Sequence, residues 1–552
     1  MPERDPAPVA VAPPADLVAE YTARGWWRDE LVDELVLRPS GADPDRVAIL
    51  AGDQRLTRGE LAARVAAAAA GFRELGVGPG DRVVVRLPNG PDLLVTVLGL
   101  VRSGALPVLA VPALGTRELR HVVTTAQARA LVVSPGRDEL PDLPGVTVVA
   151  HPARSGAVAL ADVLAADGPP PSHRADPADV AFFLLSGGTT GLPKLIPRTH
   201  RDYGYNLRMS AELAGVDENT RYLAALPVTH NFALGCPGVL GVLAAGGTAV
   251  FPSATGVPAL LDAIARHRVT ATATVPGMAV ALCDSGADLS GLALLQVGGA
   301  KLHRADALRV VKSIGGRLQQ VFGMAEGLLN FTRLDDPEDV VTGTQGRPGS
   351  PGDEVLIVGE DGQPVPDGQI GELLVRGPYT IGAYHRAPEA NAASFTSNGF
   401  YRSGDLVRRD EGGNLVVEGR RREFVNRGGE KVSVNEVEGL LVGCPGVAAC
   451  AVAPVPHEFL GETVGVFVVP AGDAAPDLAD VRRYLRHQGL AGYKLPDLLR
   501  VLEALPLTPV GKLDRAALTA LATPPGGASA RTDRSHPEPQ EALCPGTSTT
   551  TS

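Results

Sequence analysis

Cysteine is scarce in this chain, a surplus of positive charge is missing, and no long uncharged apolar run is present. The five cysteines, Cys236, Cys283, Cys444, Cys450 and Cys544, are odd in number and show no metal-ligand spacing. That argues against a disulfide framework and reads as free thiols in a reducing, cytoplasmic setting. The formal net charge of -11 argues against nucleic acid as the main partner. No uncharged apolar run reaches membrane-spanning length, so no membrane association is expected. Met1 to Asp16 carries acidic residues and prolines in place of a continuous apolar core, which does not fit a signal peptide. No fixed-period repeat is found.

What is present is an ordinary globular composition on the loop-rich side: 44% hydrophobic and 20% charged residues, with 65 glycines and 47 prolines. A chain of 552 residues is too long for one simple core, so two or more domains are expected. Residues 1–20 read as a flexible lead-in. Leu56 to Gly76 reads as a helix, with Thr57 and Glu60 as a capping box and apolar residues at helical spacing from Leu61 to Leu75. Strand, helix and strand follow over Arg82–Leu87, Asp92–Arg102 and Leu106–Val111. The rhythm returns with strands at Gly247–Phe251, Thr270–Val275, Leu292–Val297 and Leu318–Phe322, and helices at Ala259–His267 and Leu302–Ile314. Such alternation predicts βαβ units and parallel sheets.

From Gly352 to Arg376, short extended runs split by Gly and Pro predict a small β-subdomain or distorted barrel. A boundary follows near Gly419–Arg422. The expected division is a large domain over 21–419, a compact unit over 420–522 and a disordered Ser/Thr/Pro/Gly-rich tail over 523–552. The fold class is α/β: a large N-terminal domain of doubly wound sheets plus the small β-subdomain, then a small mobile α+β C-terminal domain.

The chemistry centres on Ser186-Gly187-Gly188-Thr189-Thr190-Gly191-Leu192-Pro193-Lys194, which follows the buried-strand run Val180–Leu185. A strand ending in small, hydroxylic and glycine residues makes a loop whose N–H groups approach a polyphosphate closely, with Lys194 supplying a cation. The lysine follows Leu-Pro rather than Gly, and no Ser/Thr comes after it, so this is not the common nucleotide P-loop. Pro193 and Pro197 argue against a helix here.

The run Ser186–His200 resembles the phosphate-binding core of the adenylate-forming enzymes: acyl-CoA synthetases, luciferases and peptide-synthetase adenylation domains. Its longer form, through Leu195-Ile196-Pro197-Arg198-Thr199-His200-Arg201-Asp202-Tyr203, is most similar to the stand-alone aryl-acid–AMP ligases that start siderophore and related pathways. Matching segments run from about Trp26 to about Leu518.

The resemblance assigns roles to other segments. Val321, Gly323, Met324, Ala325 and Glu326 look like the adenine and metal segment, with Glu326 as a Mg²⁺ ligand; the alternative on spacing alone is a helix-capping Glu. Asp405, in Tyr401-Arg402-Ser403-Gly404-Asp405, matches the carboxylate that takes both ribose hydroxyls, although an Asp after Gly is commonly a turn residue. Arg420 matches an arginine near the ribose and phosphate. Gly428, Gly429 and Lys431 resemble the face that a pantetheine arm passes in the thioester-forming state. Lys512, in Leu507-Thr508-Pro509-Val510-Gly511-Lys512, matches the lysine that bridges the acyl carboxylate and the α-phosphate. Lys194, Glu326 and Lys512 are therefore the catalytic set implied, and ATP and Mg²⁺ the implied substrate and cofactor.

The substrate segment is His230-Asn231-Phe232-Ala233-Leu234-Gly235-Cys236. Amino-acid-activating relatives carry Asp at the Asn231 position to pair with an α-ammonium. Asn cannot supply that charge but can bond a neutral hydroxyl or ring nitrogen. The expected substrate is an aromatic acid with a donor or acceptor ortho to its carboxylate. Gly298-Gly299-Ala300 would form one flat wall of its pocket and Phe232 another. Cys236 stands where dihydroxybenzoate-activating relatives usually carry Ser, and a thiol is the weaker donor. Leu329 adds apolar bulk. Together they favour salicylate over 2,3-dihydroxybenzoate, with 3-hydroxypicolinate and anthranilate as further candidates. The expected acceptor is the phosphopantetheine of an aryl carrier protein. Free CoA is the rival acceptor, and a silent nucleotide-binding scaffold the non-enzymatic rival.

Overall fold

The computed structural model describes residues 10–39, 41, 43–134, 142–169, 173–186, 192–302, 304–359, 361–420, 424–428, 430–441, 443–472, 475–506 and 515–522. The Gly187–Gly191 loop, Gly429, Lys512, the 421–423 part of the expected boundary and the 523–552 tail lie outside the described residues, as do the side chains of Arg420 and Lys431.

Two large sheets are built from the alternation seen in the sequence. The first has seven strands in the order Val158–Ala159, Thr147–Ala150, Ala130–Val133, Arg82–Arg86, Leu106–Leu109, Val180–Ser186 and Lys194–Thr199. All of its pairs are parallel except the last. The second has nine strands, Arg347–Pro348, Gly327–Phe331, Arg317–Met324, Leu294–Gly298, Ala271–Thr274, Arg221–Leu223, Thr248–Phe251, Val47–Ala51 and Gln54–Thr57. Its interior pairs are parallel and its margins antiparallel. The central strands are buried on both faces, which is why they read as unbroken apolar runs.

Helices Arg58–Glu74 and Pro91–Arg102 pack on each other within the largest core cluster, which joins both sheets. The first starts at the capping box read from the sequence: Glu60 N–H donates to Thr57 Oγ1 at 3.1 Å, and Thr57 N–H to Glu60 Oε2 at 2.7 Å. The second starts with Pro at its first turn, where no N–H is needed.

The Gly352–Arg376 region forms an antiparallel four-stranded sheet, Glu354–Val358, Gly371–Arg376, Tyr401–Arg409 and Leu415–Arg420. A fourth sheet holds Glu430–Ser433, Phe424–Arg427, Gly461–Pro470 and Val447–His457, with Leu498–Val501 parallel to Gly461–Pro470. Helices Val434–Leu441 and Leu478–His487 share its core. No helix among the described residues is long and apolar enough to cross a membrane.

One buried carboxyl stands out in the aromatic cluster of Tyr21, Trp27, Tyr205 and Tyr379. Asp353 accepts from the Tyr379 hydroxyl at 2.6 Å and from Ser350 N–H at 3.0 Å, while its Oδ1 has no hydrogen-bond partner. Burial pushes its carboxyl up to about 7, against those hydrogen bonds, which lower it. A group whose folded pKa is raised supports the fold fully below its unfolded value, and that support is lost as pH rises through 7. Asp353→Asn should therefore stabilise the protein at pH 8 by on the order of 1–3 kcal/mol relative to its effect at pH 4. Thermal denaturation at the two pH values checks this; an equal shift at both would refute it.

Candidate active site

The carboxyl ends of three parallel strands open on one cavity of about 760 Å³. Val180–Ser186 delivers Ser186, Leu294–Gly298 delivers Gly299 and Ala300, and Arg317–Met324 delivers Val321, Gly323 and Met324. Ligands of open α/β sheets bind at such ends. The His230–Cys236 segment contributes His230, Asn231, Phe232 and Cys236. Leu329 lines it from the neighbouring strand of the nine-stranded sheet, Asp405 from the four-stranded sheet, and Asn426, Gly428 and Glu430 reach it from the small C-terminal sheet.

Glu326 sits in the tight turn between Arg317–Met324 and Gly327–Phe331 and is only 4% exposed. The Tyr384 hydroxyl donates to its Oε1 at 2.8 Å. Lys194, the first residue of its strand, places Nζ 4.1 Å from the centre of the same tyrosine ring. Tyr384 thus ties the cation of the phosphate-loop motif to the carboxylate of the second motif. The turn is braced by the fully buried Arg198, whose guanidinium donates to Ala325 O at 2.9 Å, Tyr379 O at 3.2 Å and Asp202 Oδ1 at 2.9 Å. Arg198 was visible in the sequence only as a motif letter, and Tyr384 carried no signal there.

A single hard carboxylate suits Mg²⁺, which takes most of its ligands from phosphate and water. Among the described residues no three His, Cys, Asp or Glu side chains cluster as a metal site.

Asp405 is on a strand, not in a turn. The ladder sets it opposite Arg420, so two separate motifs meet as cross-strand partners. Gly323 lies under Leu329: a Cβ there would fall 2.4 Å from Leu329 Cδ2 and 2.7 Å from Leu328 O. A Cβ at Gly298 would come within 3.0 Å of the Phe232 ring, so the glycine lets that ring pack close against the strand end.

At the mouth, His230 Nε2 lies 2.9 Å from Glu430 Oε1. Burial would raise the Glu430 carboxyl, but His230 and Lys494 draw it below its ordinary value. Deeper in, Asn231 is 8% exposed and Cys236 1%. Asn231 Nδ2 donates to Cys236 Sγ at 3.5 Å, and that thiol donates to Asn231 O at 3.3 Å. Burial pushes the thiol up to about 12, so it stays protonated. The four cysteines among the described residues are free thiols.

The AMP-binding enzyme profile matches residues 38–385, and the AMP-binding enzyme C-terminal domain profile matches residues 436–512. The chain is 43% identical over 522 residues to a 2,3-dihydroxybenzoate-AMP ligase of Bacillus subtilis, covering 92% of this chain and 96% of that one. It is 43% identical over 526 residues to a salicyl-AMP ligase / salicyl-S-ArCP synthetase of Mycobacterium tuberculosis, covering 92% and 93%. The apo structure of Mycobacterium smegmatis MbtA superposes with a TM-score of 0.72 at 43% identity, covering 93% of this chain and 98% of that one. With Ser186, Glu326 and Asp405, from three separate motifs, lining one cavity, the chain belongs to the AMP-binding enzymes, the adenylate-forming ligases.

Proposed function

We propose that this enzyme activates an aryl carboxylic acid, salicylate first, as its adenylate and passes the aryl group to the phosphopantetheine thiol of an aryl carrier protein, in the cytoplasm, for siderophore or other nonribosomal peptide assembly. The observation that carries the reading is Asn231, buried in the cavity wall where an α-ammonium would need a carboxylate. The neighbouring Phe232 ring and the Gly298–Ala300 segment suit a planar acid. Cys236 and Leu329 leave little to reward a 3-hydroxyl. The names of the relatives, which include both salicylate and 2,3-dihydroxybenzoate ligases, fit the same substrate class.

In the first step a carboxylate oxygen attacks the α-phosphorus of ATP and pyrophosphate leaves. In the second, the thiol sulfur attacks the acyl carbon and AMP leaves. No protein nucleophile is required; positioning and charge neutralisation lower the barrier. Lys194 faces the phosphates, Asp405 takes the ribose hydroxyls with Arg420 across the ladder, and Lys512 bridges carboxylate and α-phosphate. Glu326 would hold Mg²⁺, which neutralises phosphate charge when bound. The small C-terminal unit alternates: Lys512 serves the first step, and the Gly428–Lys431 face serves the second. Gly428 and Glu430 at the cavity fit the second arrangement.

ATP–pyrophosphate exchange over salicylate, 2,3-dihydroxybenzoate, 3-hydroxypicolinate and anthranilate tests the reading, with salicylate expected to give the highest kcat/KM. Exchange with none of them would overturn it. Loading assays with a carrier protein and with free CoA separate the two acceptors.

Asn231→Asp should raise the KM for salicylate by roughly 10- to 100-fold, because a second carboxylate would stand beside the substrate's own in a dry pocket. An unchanged KM would remove Asn231 from the binding site.

A further inference from the structure

Behind the cavity wall lies a tyrosine that the reaction scheme does not use. Tyr203 is fully buried, does not line the cavity, and donates its hydroxyl to Asn231 Oδ1 at 2.9 Å. Burial drives its phenol well above the ordinary value, so it remains a neutral donor. Its ring is held edge-on by Phe182, centroids 4.7 Å apart, and the Arg198 guanidinium lies 4.8 Å from its centre. Gly235 makes room for the hydroxyl: a Cβ there would fall 2.3 Å from the phenolic oxygen. The carbonyl of Gly235 is in turn held by Asn206 Nδ2.

These contacts fix which way the Asn231 amide points. The Cys236 thiol gives its hydrogen to the main-chain carbonyl of Asn231, so its sulfur can only accept from the side-chain amide. A flipped amide would set Oδ1 against that sulfur, acceptor against acceptor. The side-chain oxygen is therefore turned back to Tyr203 and the amino group to Cys236, in a residue that lines the cavity.

We propose that Tyr203 is a positioning residue that locks Asn231 as a hydrogen-bond donor toward the aryl acid, so that the pocket selects acids with an ortho acceptor and rejects those with an ortho donor. This rests on the aryl-acid reading of the cavity. In salicylate the hydroxyl donates internally to the carboxylate, leaving its oxygen lone pairs facing outward, where Asn231 N–H can reach them. In 3-hydroxypicolinate the ring nitrogen is an acceptor. In anthranilate one amino N–H bonds the carboxylate and the other points outward, meeting the Asn231 N–H donor to donor. A buried donor without a partner is costly, so wild-type kcat/KM for anthranilate should be roughly 10- to 100-fold below salicylate on this account.

Tyr203→Phe removes the lock and frees the amide to turn. The test measures kcat/KM in ATP–pyrophosphate exchange for salicylate, anthranilate and benzoate. Benzoate lacks an ortho group and reports general damage to the pocket. The expected result is a rise of about 3- to 10-fold in the anthranilate-to-salicylate ratio, with the loss on salicylate exceeding that on benzoate. Gly235→Ala, which displaces the same hydroxyl from the other side, should move the ratio the same way. If all three acids fall by one factor in both variants, Tyr203 is only a packing residue and the inference is overturned. If wild-type enzyme uses none of the acids, it is the aryl-acid reading itself that fails.

Discussion

Lys512→Ala should lower the rate of adenylate formation by about two to three orders of magnitude while leaving thioester transfer from supplied aryl-AMP within a few-fold of wild type. The motivation is the division of labour across the small C-terminal unit. In the structure the cavity is met by Asn426, Gly428 and Glu430, with Glu430 paired to His230. On the proposed function, Lys512 of that unit serves the first step in a different docking. Charge grows on the α-phosphate only in the first half-reaction, so only that step should need the ammonium. Pyrophosphate exchange reads the first step, and single-turnover transfer from isolated aryl-AMP reads the second. Equal loss of both, in a folded protein, would remove Lys512 from this role.

The sequence made the local parts of this molecule readable and left the long-range parts dark. Helix Arg58–Glu74 was legible because its capping box and spacing lie within one stretch of chain. The motif letters Lys194, Glu326 and Asp405 were legible because the family resemblance carries them. What joins them was not. Tyr384 links Lys194 to Glu326 from far along the chain, and neither periodicity nor spacing marks it. The Gly before Asp405 left a turn open as the alternative to the ribose role, and the strand that sets Asp405 opposite Arg420 went unread. Pro197 argued correctly against a helix. It left unread the strand Lys194–Thr199, which tolerates a proline because it is the last strand of its sheet. Asn231 was singled out as a polar substrate contact, but the direction of its amide depends on Tyr203 and Cys236, and only packing decides that.

The same blindness hid a buried contact between the two parts of the chain. Glu118, on helix Thr116–Ala126 of the large part, meets Lys494 of the small unit at 3.2 Å, and Lys494 meets Glu436 at 2.8 Å. Ala491 N–H also donates to Glu118 at 3.3 Å. All three charged side chains are at most 3% exposed, with Arg117 3.8 Å from Glu436. Burial pushes the Glu436 carboxyl up; Lys494 lowers it and Glu118 raises it again. Lys494, between two buried carboxylates, is thus the cation that bridges the joint, with Arg117 beside Glu436 alone. Lys494→Met would leave them facing each other, and breaking a buried pair costs roughly 3–5 kcal/mol. If the small unit rotates as proposed, that cost falls on the docking seen here, with Gly428 and Glu430 at the cavity, because rotation would part Glu118 from Glu436. Thioester transfer should thus fall by about 100-fold or more, while pyrophosphate exchange stays within a few-fold. The defect should shrink as pH falls, since protonating Glu436, the carboxyl already raised, removes the repulsion. Adding Glu118→Gln should restore part of the transfer rate for the same reason. A variant in which both half-reactions fall together, or in which Glu118→Gln deepens the loss, would show that this cluster supports the fold and not the choice of docking.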